Sequence, residues 1–257
     1  MLEENADKIL ELITPRHLVL DVGGWACPFN RANYVIDQEP YSSRGFYRTM
    51  GGKPCQGGEK EYFNKDTWIQ RDICDKKPWP FEDKYFDFCV CSHTLEDIRD
   101  PLYVCSEIIR VSKQGYIEVP SRIFESSLGI ENNKMAGFSH HRWLIEIEDN
   151  HLQFTPKYGM LHSDAELSFP RVFFRPFVES RKLPKVSFLF WTDRFTFDET
   201  VIIGLDNIRG HLKGFVNKYY HPPFYLRARY YSRRVCGNLK YHVYLFIVKP
   251  FKTIYHK

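Results

Sequence analysis

The chain has 257 residues, a formal net charge of +4 and 16% aromatic residues. This length can hold one large domain, or one domain with an extension, and the aromatic content argues against a disordered chain. No apolar stretch reaches the about 18 residues of a membrane-spanning helix. The composition therefore excludes a disordered chain and a helical membrane span.

The N-terminal segment and the cysteines indicate the cellular compartment. Residues 1–14 carry four acids around an apolar face, which predicts an amphipathic helix and not a signal peptide. The seven cysteines are scattered and form no C-x-x-C pair. An odd number without framework spacing predicts reduced thiols in a cytoplasmic protein.

Two short apolar runs, each ending in an acid, predict a nucleoside-binding edge. The first run ends in Asp21 and is followed by Gly23 and Gly24, and the second ends in Asp37. Glycine lets bare backbone approach a ligand, and an acid after the second strand can accept hydrogen bonds from ribose hydroxyls. Neither G-x-G-x-x-G nor a phosphate-loop pattern is present, which favours a ligand with ribose but no phosphate. Pro28 interrupts the segment between the runs, so its helix should be short or lost.

The next segment alternates strand and helix patterns. Residues 67–71 and 84–91 read as strands, a helix is expected over residues 100–112, and residues 116–120 form another buried strand. Residues 39–66 form a long loop rich in Gly, Pro, Lys and Arg. Such a loop is either a lid or binding loop, or a poorly ordered insertion.

The motifs D-V-G-G, V-I-D, R-D-I, S-H-T-L-E-D-I and K-Q-G-Y-I-E-V-P follow one another over residues 16–122. In this order the chain resembles the class I S-adenosylmethionine-dependent methyltransferases, nearest to the small-molecule and glycan methyltransferase group. The resemblance implies a doubly wound, mostly parallel, Rossmann-like α/β sheet with S-adenosylmethionine as cofactor. It also implies methyl transfer to a small-molecule or glycan acceptor.

The resemblance assigns cofactor-binding roles to residues at the strand ends. Asp21 should orient the first loop and the cofactor's amino group, and Gly23 and Gly24 should pass against its methionine and ribose parts. The remaining expected contacts are Asp37 with the ribose hydroxyls, Asp72 and the Ile73 backbone with adenine, and Ser92 and His93 at the border between cofactor and substrate. Asp21 could instead be an ordinary strand-end acid, and Asp72 could cap a turn.

A general base is needed chiefly when a hydroxyl is methylated, and histidine suits this role near neutral pH. His93, His140 and His141 are the catalytic candidates, although each could equally be structural. Adjacent histidines in a strand point to opposite faces, so at most one of the pair should reach the site. No carboxylate or cysteine accompanies them at ligand spacing, so no metal site is predicted. Arg122 could bind an acidic or glycan acceptor.

The second half divides into two regions beyond a core at residues 1–140. Residues 142–148 and 151–155 alternate apolar and polar around Asp149-Asn150 and predict a hairpin, with further strands at 185–191 and 194–203. Residues 141–206 should therefore be a substrate cap or complete the sheet. Residues 207–257 form a basic, aromatic extension.

The C-terminal extension differs from the rest of the chain in charge. Residues 1–206 contain 25 Lys and Arg against 32 Asp and Glu, whereas residues 207–257 contain 11 Lys and Arg and no acid. It could pack on the acidic body as a solvated face, contact an anionic membrane surface, or bind single-stranded nucleic acid. Nucleic acid is the least favoured of the three. The alternatives to an enzyme are a cofactor-binding protein without activity and a peripheral protein that acts through this extension.

Overall fold

The computed structural model of the protein describes residues 1–52, 55–132, 134–164, 166–174 and 184–221. The strands are β1 (Val19–Val22), β2 (Tyr34–Asp37), β3 (Trp68–Gln70), β4 (Phe88–Ser92), β5 (Gln114–Pro120), β6 (Trp143–Glu148), β7 (His151–Pro156), β8 (Val186–Thr192) and β9 (Thr196–Glu199). The helices are α1 (Glu3–Leu12), α2 (Phe46–Thr49), α3 (Pro101–Val111), α4 (Arg122–Glu125), α5 (Met160–Ser163), α6 (Arg171–Phe174) and α7 (Leu205–Tyr219).

The main sheet has six strands in the order β3-β2-β1-β4-β5-β8. Strands β1 to β5 are mutually parallel, and β8 pairs antiparallel with β5. The order reverses beside β1, and ligands of open α/β sheets bind at such a switch point, beyond the carboxyl ends of the strands. The predicted mostly parallel, Rossmann-like sheet is confirmed.

Side chains alternate between the two faces of the main sheet. On one face Val19, Val35 and Val90 pack with Ile9 of α1. On the other face the sheet packs with α3, and this core includes Leu20, Val22, Cys91, Val104 and Ile108. A parallel sheet covered on both faces explains why its strands read as nearly continuous apolar runs.

The region after residue 140 contributes to two sheets. The predicted hairpin is confirmed as β6 and β7, which pair antiparallel, and β9 adds a parallel third strand beside β7. Strand β8 instead completes the main sheet, so that sheet is not confined to residues 1–140. Ile145 and Phe154 of the second sheet are buried in the same core as Leu189 of β8.

The connection from β1 to β2 contains no helix over residues 23–33, as Pro28 predicts. The Asp21 carboxylate instead holds this connection in place, because its Oδ2 accepts a hydrogen bond from the Phe29 backbone N–H at 2.7 Å. The long loop after β2 contains α2. Its Phe46 and Tyr47 rings pack on Trp25, with centroids 6.1 and 5.5 Å away.

Helix α7 is anchored on the body at the start of the basic extension. Its Leu212 and Val216 are buried, Arg209 forms an ion pair with Asp164, and Lys213 lies 2.8 Å from Glu166. This part of the extension therefore packs on acidic residues of the body. The membrane and nucleic-acid interpretations rest mainly on residues 222–257, which lie outside the described residues. Among the helices that the structure describes, none is both long and apolar enough to cross a membrane.

Candidate functional site

A cavity of about 840 Å³ opens at the carboxyl ends of β1, β4 and β5. Ligand pockets commonly have volumes of roughly 300–1,000 Å³. The polar side chains that line it include Asp21, Cys27, Tyr47, Gln56, Ser92, His93, Glu96, Asp97, His140, His141 and Lys185. Its apolar wall includes Trp25, Phe29, Phe124, Phe138 and Val186. The cavity thus joins the first glycine turn to the predicted histidine pair.

Close packing requires glycine at both positions of the first turn, and at Gly23 the backbone conformation requires it as well. Gly23 has a φ of +75°, and a Cβ there would lie 2.3 Å from Thr94 Oγ1. A Cβ at Gly24 would lie 2.7 Å from Asp21 Oδ2 and 2.9 Å from Pro28 Cβ. The turn therefore remains narrow, and its backbone lines the cavity.

Asp21, the penultimate residue of β1, and Asp37, the last residue of β2, differ in their surroundings. Asp21 lines the cavity, and burial raises its pKa to about 7, opposed by the hydrogen bond from the Phe29 backbone. Asp37 does not line the cavity. Its two oxygens accept hydrogen bonds from the backbone N–H groups of Trp25 at 2.9 Å and Glu39 at 2.7 Å. The expected ribose contact of Asp37 requires these bonds to be shared or exchanged.

The residues expected at the adenine lie away from the cavity. Asp72 contacts Arg99 at 2.5 Å, and this partner, opposing the effect of burial, holds the pKa of Asp72 below its usual value. The carbonyl oxygen of Ile73 accepts a hydrogen bond from the Trp79 indole at 3.1 Å. Ser92 by contrast lines the cavity. The cavity therefore collects the predicted residues of β1 and β4 and leaves out those that follow β2 and β3.

His93 is held between two buried carboxylates. Its Nε2 lies 3.0 Å from Glu118 and its Nδ1 lies 3.4 Å from Glu96, and the side chains of both acids are at most 2% exposed. Burial alone would lower the pKa of His93, but the two carboxylates outweigh it and raise the pKa to about 9. His93 also has a φ of +54°, an unusual value for a residue with a side chain. At neutral pH it is an imidazolium, which has no lone pair with which to accept a proton.

His140 and His141 both line the cavity, whereas the strand argument allows only one of them to do so. Neither lies within a strand, because β6 begins only at Trp143, and their rings meet edge to face with centroids 4.5 Å apart. His141 Nδ1 lies 2.9 Å from Glu125 Oε1. Burial lowers the pKa of His141, but this carboxylate outweighs it, and the net shift is upward.

The fold also brings a carboxylate to the histidine pair. Asp97 Oδ1 lies 3.6 Å from His141 Nε2 and 3.9 Å from His140 Nε2. The sequence argument against a metal site required a carboxylate at ligand spacing along the chain. Asp97 comes from the segment after β4, so its approach is visible only in the fold, and the ground for excluding a metal is removed.

Arg122 lies outside the cavity lining. It forms an ion pair with Glu146, its Nη2 lies 2.8 Å from His211, and its guanidinium lies over the Phe215 ring at 4.2 Å. With 5% exposure it joins α4, β6 and α7. These contacts engage the Arg122 guanidinium outside the cavity lining, and its expected contact with an acceptor stays a prediction.

Sequence reasoning missed three buried acids around the histidines: Glu96, Glu118 and Glu125. Glu96 and Glu118 stand within the two motifs that carry the resemblance, and their side chains face inward from a loop and a strand. An acid inside an otherwise apolar strand, as Glu118 is in β5, was the available signal, because buried charges are normally paired. Glu125 gave no comparable signal.

Residues 53–117 match a family model described as a methyltransferase domain. The match includes Asp72, Ser92 and His93 and begins after the glycine turn and Asp37. The match covers about a quarter of the chain and agrees with the resemblance to S-adenosylmethionine-dependent methyltransferases, whose cofactor is S-adenosylmethionine. No curated protein matches the chain.

Solved structures with similar folds are distant. A complex that contains the Trm112 methyltransferase activator of Haloferax volcanii matches 46% of this chain and 53% of its own, with 17% identity and a TM-score of 0.31. A Thermotoga maritima S-adenosylmethionine-dependent methyltransferase, described as a possible histamine N-methyltransferase, matches over 51% of this chain and 58% of its own length, with 16% identity and a TM-score of 0.32. A Mesorhizobium loti S-adenosylmethionine-dependent methyltransferase matches over 59% of this chain and 64% of its own length, with 16% identity and a TM-score of 0.32. The chain thus spans between half and two thirds of these structures, and the similarities are too weak to transfer a function.

Proposed function

We propose that this protein is a class I S-adenosylmethionine-dependent methyltransferase and that it methylates a small-molecule or glycan acceptor in the cavity. The observation that carries the proposal is the continuity of that cavity. It is lined both by Gly23 and Gly24, the expected cofactor turn, and by the polar residues His140, His141 and Lys185.

Beside the imidazolium of His93 and the side chain of Lys185, the cavity lining includes acids that could pair with a positively charged cofactor. Asp21, Glu96 and Asp97 all line it, and Glu96 Oε2 is buried with no hydrogen-bond partner among the described residues. An unpaired buried carboxylate oxygen is costly, and a cationic ligand would stabilise it. These residues fit the methionine end of S-adenosylmethionine, whereas the engaged carboxylate of Asp37 fits the ribose less well.

When bound, the cofactor supplies a methyl group on a positively charged sulfur, which is already an activated electrophile. The protein's main contribution is alignment, which can lower a barrier by roughly 7–11 kcal/mol. Phe124 and Phe138, with ring centroids 5.9 Å apart, would exclude water from the acceptor end. His140, which is 61% exposed at its side chain, is the better placed histidine to accept a proton from an acceptor hydroxyl. His93 would position groups instead, because its cationic form cannot accept one.

Calorimetry with S-adenosylmethionine and S-adenosylhomocysteine is the first test. We expect one site per chain, weakened by Asp21→Asn and unaffected by Asp87→Asn, a matched change beside β4 outside the cavity lining. Absence of binding in folded protein would refute the proposal. Release of labelled methyl to a panel of sugars and small hydroxyl or amine compounds then separates an enzyme from the alternative, a cofactor-binding protein without activity.

The basic extension suggests a peripheral contact with an anionic membrane, as part of the same proposal. Deletion must begin at residue 222, because Leu212, Phe215 and Val216 of α7 are buried in the body. In co-sedimentation, the full chain should bind anionic vesicles more than neutral ones, and the residue 1–221 fragment should lose this binding. Equal binding of the full chain and the residue 1–221 fragment would contradict this contact.

A further inference from the structure

We propose that Asp97, His140 and His141 form a binding site for a divalent transition metal of the zinc class, at the acceptor end of the cavity. The ligand atoms of the three side chains lie within 4.8 Å of one another. Two imidazoles and one carboxylate, with a further position open to a cavity, are a donor set typical of catalytic zinc sites and of other first-row metal sites.

The separations are those of ligands and not of hydrogen-bonded partners. Asp97 Oδ1 lies 3.6 and 3.9 Å from the two Nε2 atoms, beyond the hydrogen-bond range of about 2.7–3.2 Å. Zinc bonds of about 2.0–2.1 Å place tetrahedral ligands roughly 3.3 Å apart. Small rotations would close this difference. His140 and Asp97 can make them, because their side chains are 61% and 40% exposed.

Two buried polar atoms of the cluster, Asp97 Oδ1 and His141 Nδ1, have no hydrogen-bond partner among the described residues, although His141 Nδ1 lies 2.9 Å from Glu125 Oε1. Asp97 Oδ1 is inaccessible to solvent. Buried polar atoms are nearly always satisfied, so an isolated one at the centre of three converging side chains points to an occupant. A cation at this position would satisfy it and would balance the acids nearby.

The surroundings of His141 match those of a metal-bound histidine. Its Nδ1 lies 2.9 Å from Glu125 Oε1, which leaves Nε2 directed at Asp97. Glu125 Oε2 accepts a hydrogen bond from Lys157 at 2.6 Å, and both of these side chains are 1% exposed. A carboxylate on the outer nitrogen fixes the ring orientation of a ligating histidine, and its loss commonly weakens metal binding about 10- to 100-fold.

A metal here would bind an oxygen of the acceptor directly and lower the pKa of its hydroxyl, whose proton would leave to water in the cavity before the oxygen takes the methyl group. His140 would then be a ligand and no longer the base. This role rests on the proposed methyltransferase function. Metal binding itself does not, and it is measured without cofactor or acceptor.

The test uses the full chain, freed of metal by a chelator and titrated with Zn²⁺ in a calorimeter. Co²⁺ serves as a second probe, because its visible absorption reports coordination number and nitrogen ligands. We expect tight binding with four- or five-coordinate Co²⁺ spectra, and a loss of about 100-fold or more in affinity for His140→Ala and Asp97→Asn. Glu125→Gln should weaken binding about 10- to 100-fold.

His151→Ala is the matched control, because His151 Nε2 also lies 3.4 Å from a carboxylate, that of Asp198, without a second histidine. It should leave the affinity unchanged. Unchanged Zn²⁺ affinity in both His140→Ala and Asp97→Asn would overturn the site, as would absence of binding by the folded wild-type chain. The exposed position of His140 keeps the test valid if changes at buried Glu125 prevent folding. Zn²⁺ binding without S-adenosylmethionine binding would reject the proposed function and retain the site.

Discussion

Replacing Gly23 by alanine should destabilise the protein through two separable effects. Gly23 has a φ of +75°, and its added Cβ would lie 2.3 Å from Thr94 Oγ1 and 2.4 Å from Thr94 Cγ2. The left-handed conformation costs about 1–2 kcal/mol for a residue with a Cβ. Overpacking of a well-packed region adds about 1–3 kcal/mol. We therefore expect Gly23→Ala to lower the free energy of unfolding by about 2–5 kcal/mol.

Gly45→Ala isolates the first effect. Gly45 has a φ of +79°, and a Cβ there would meet no atom within 4 Å. Its replacement should therefore cost only about 1–2 kcal/mol. Urea unfolding followed by circular dichroism measures both variants, and the difference between them is the cost of the contact with Thr94.

A double-mutant cycle tests that contact directly. Thr94→Ala removes the two nearest atoms, so Gly23→Ala should cost about 1–2 kcal/mol less in this background than in the wild type. Equal destabilisation by Gly23→Ala and Gly45→Ala, together with additive effects of Gly23→Ala and Thr94→Ala, would refute the packing argument.

Three further outcomes are expected. Titration by NMR should give His93 a pKa of about 9, shifted down in Glu118→Gln because the nearer carboxylate is lost; an unshifted pKa would contradict the pairing. Since Asp21 has a pKa of about 7, affinity for a cationic cofactor should fall below pH 7 by up to about tenfold per unit, and Asp21→Asn should abolish this dependence. Lys157→Met should lower the free energy of unfolding by about 3–5 kcal/mol by removing the nearer of the two partners of the buried Glu125 carboxylate, whereas exposed Lys113→Met should change it by at most about 1 kcal/mol; equal effects would refute this.

The sheet could be predicted because its determinants are local in sequence. Apolar runs that end in Asp21 and Asp37 mark strand ends, Pro28 removes a helix, and Asp149-Asn150 marks a hairpin turn. The partner of β5 could not be read in this way. Strand β8 lies between β7 and β9 of the second sheet in the chain but pairs antiparallel with β5 of the main sheet, and its sequence pattern does not specify which edge it joins.

The candidate site could be predicted only in part, because its contacts join distant segments. The S-H-T-L-E-D motif identified Ser92 and His93, but not the two buried carboxylates that make His93 a cation. Asp97 meets the histidine pair only when the segment after β4 folds against the loop before β6. Asp37 shows the opposite case: the motif is present, yet its oxygens are engaged by backbone N–H groups.

The central claim is that the glycine turn binds an adenosyl cofactor inside the cavity. A crystal structure of the protein with S-adenosylhomocysteine tests it most directly. The account predicts the amino acid part of the ligand against Gly23, Gly24 and Asp21, with its sulfur facing His140 and His141. Well-ordered ligand elsewhere on the protein, or none at saturating concentration, would contradict it.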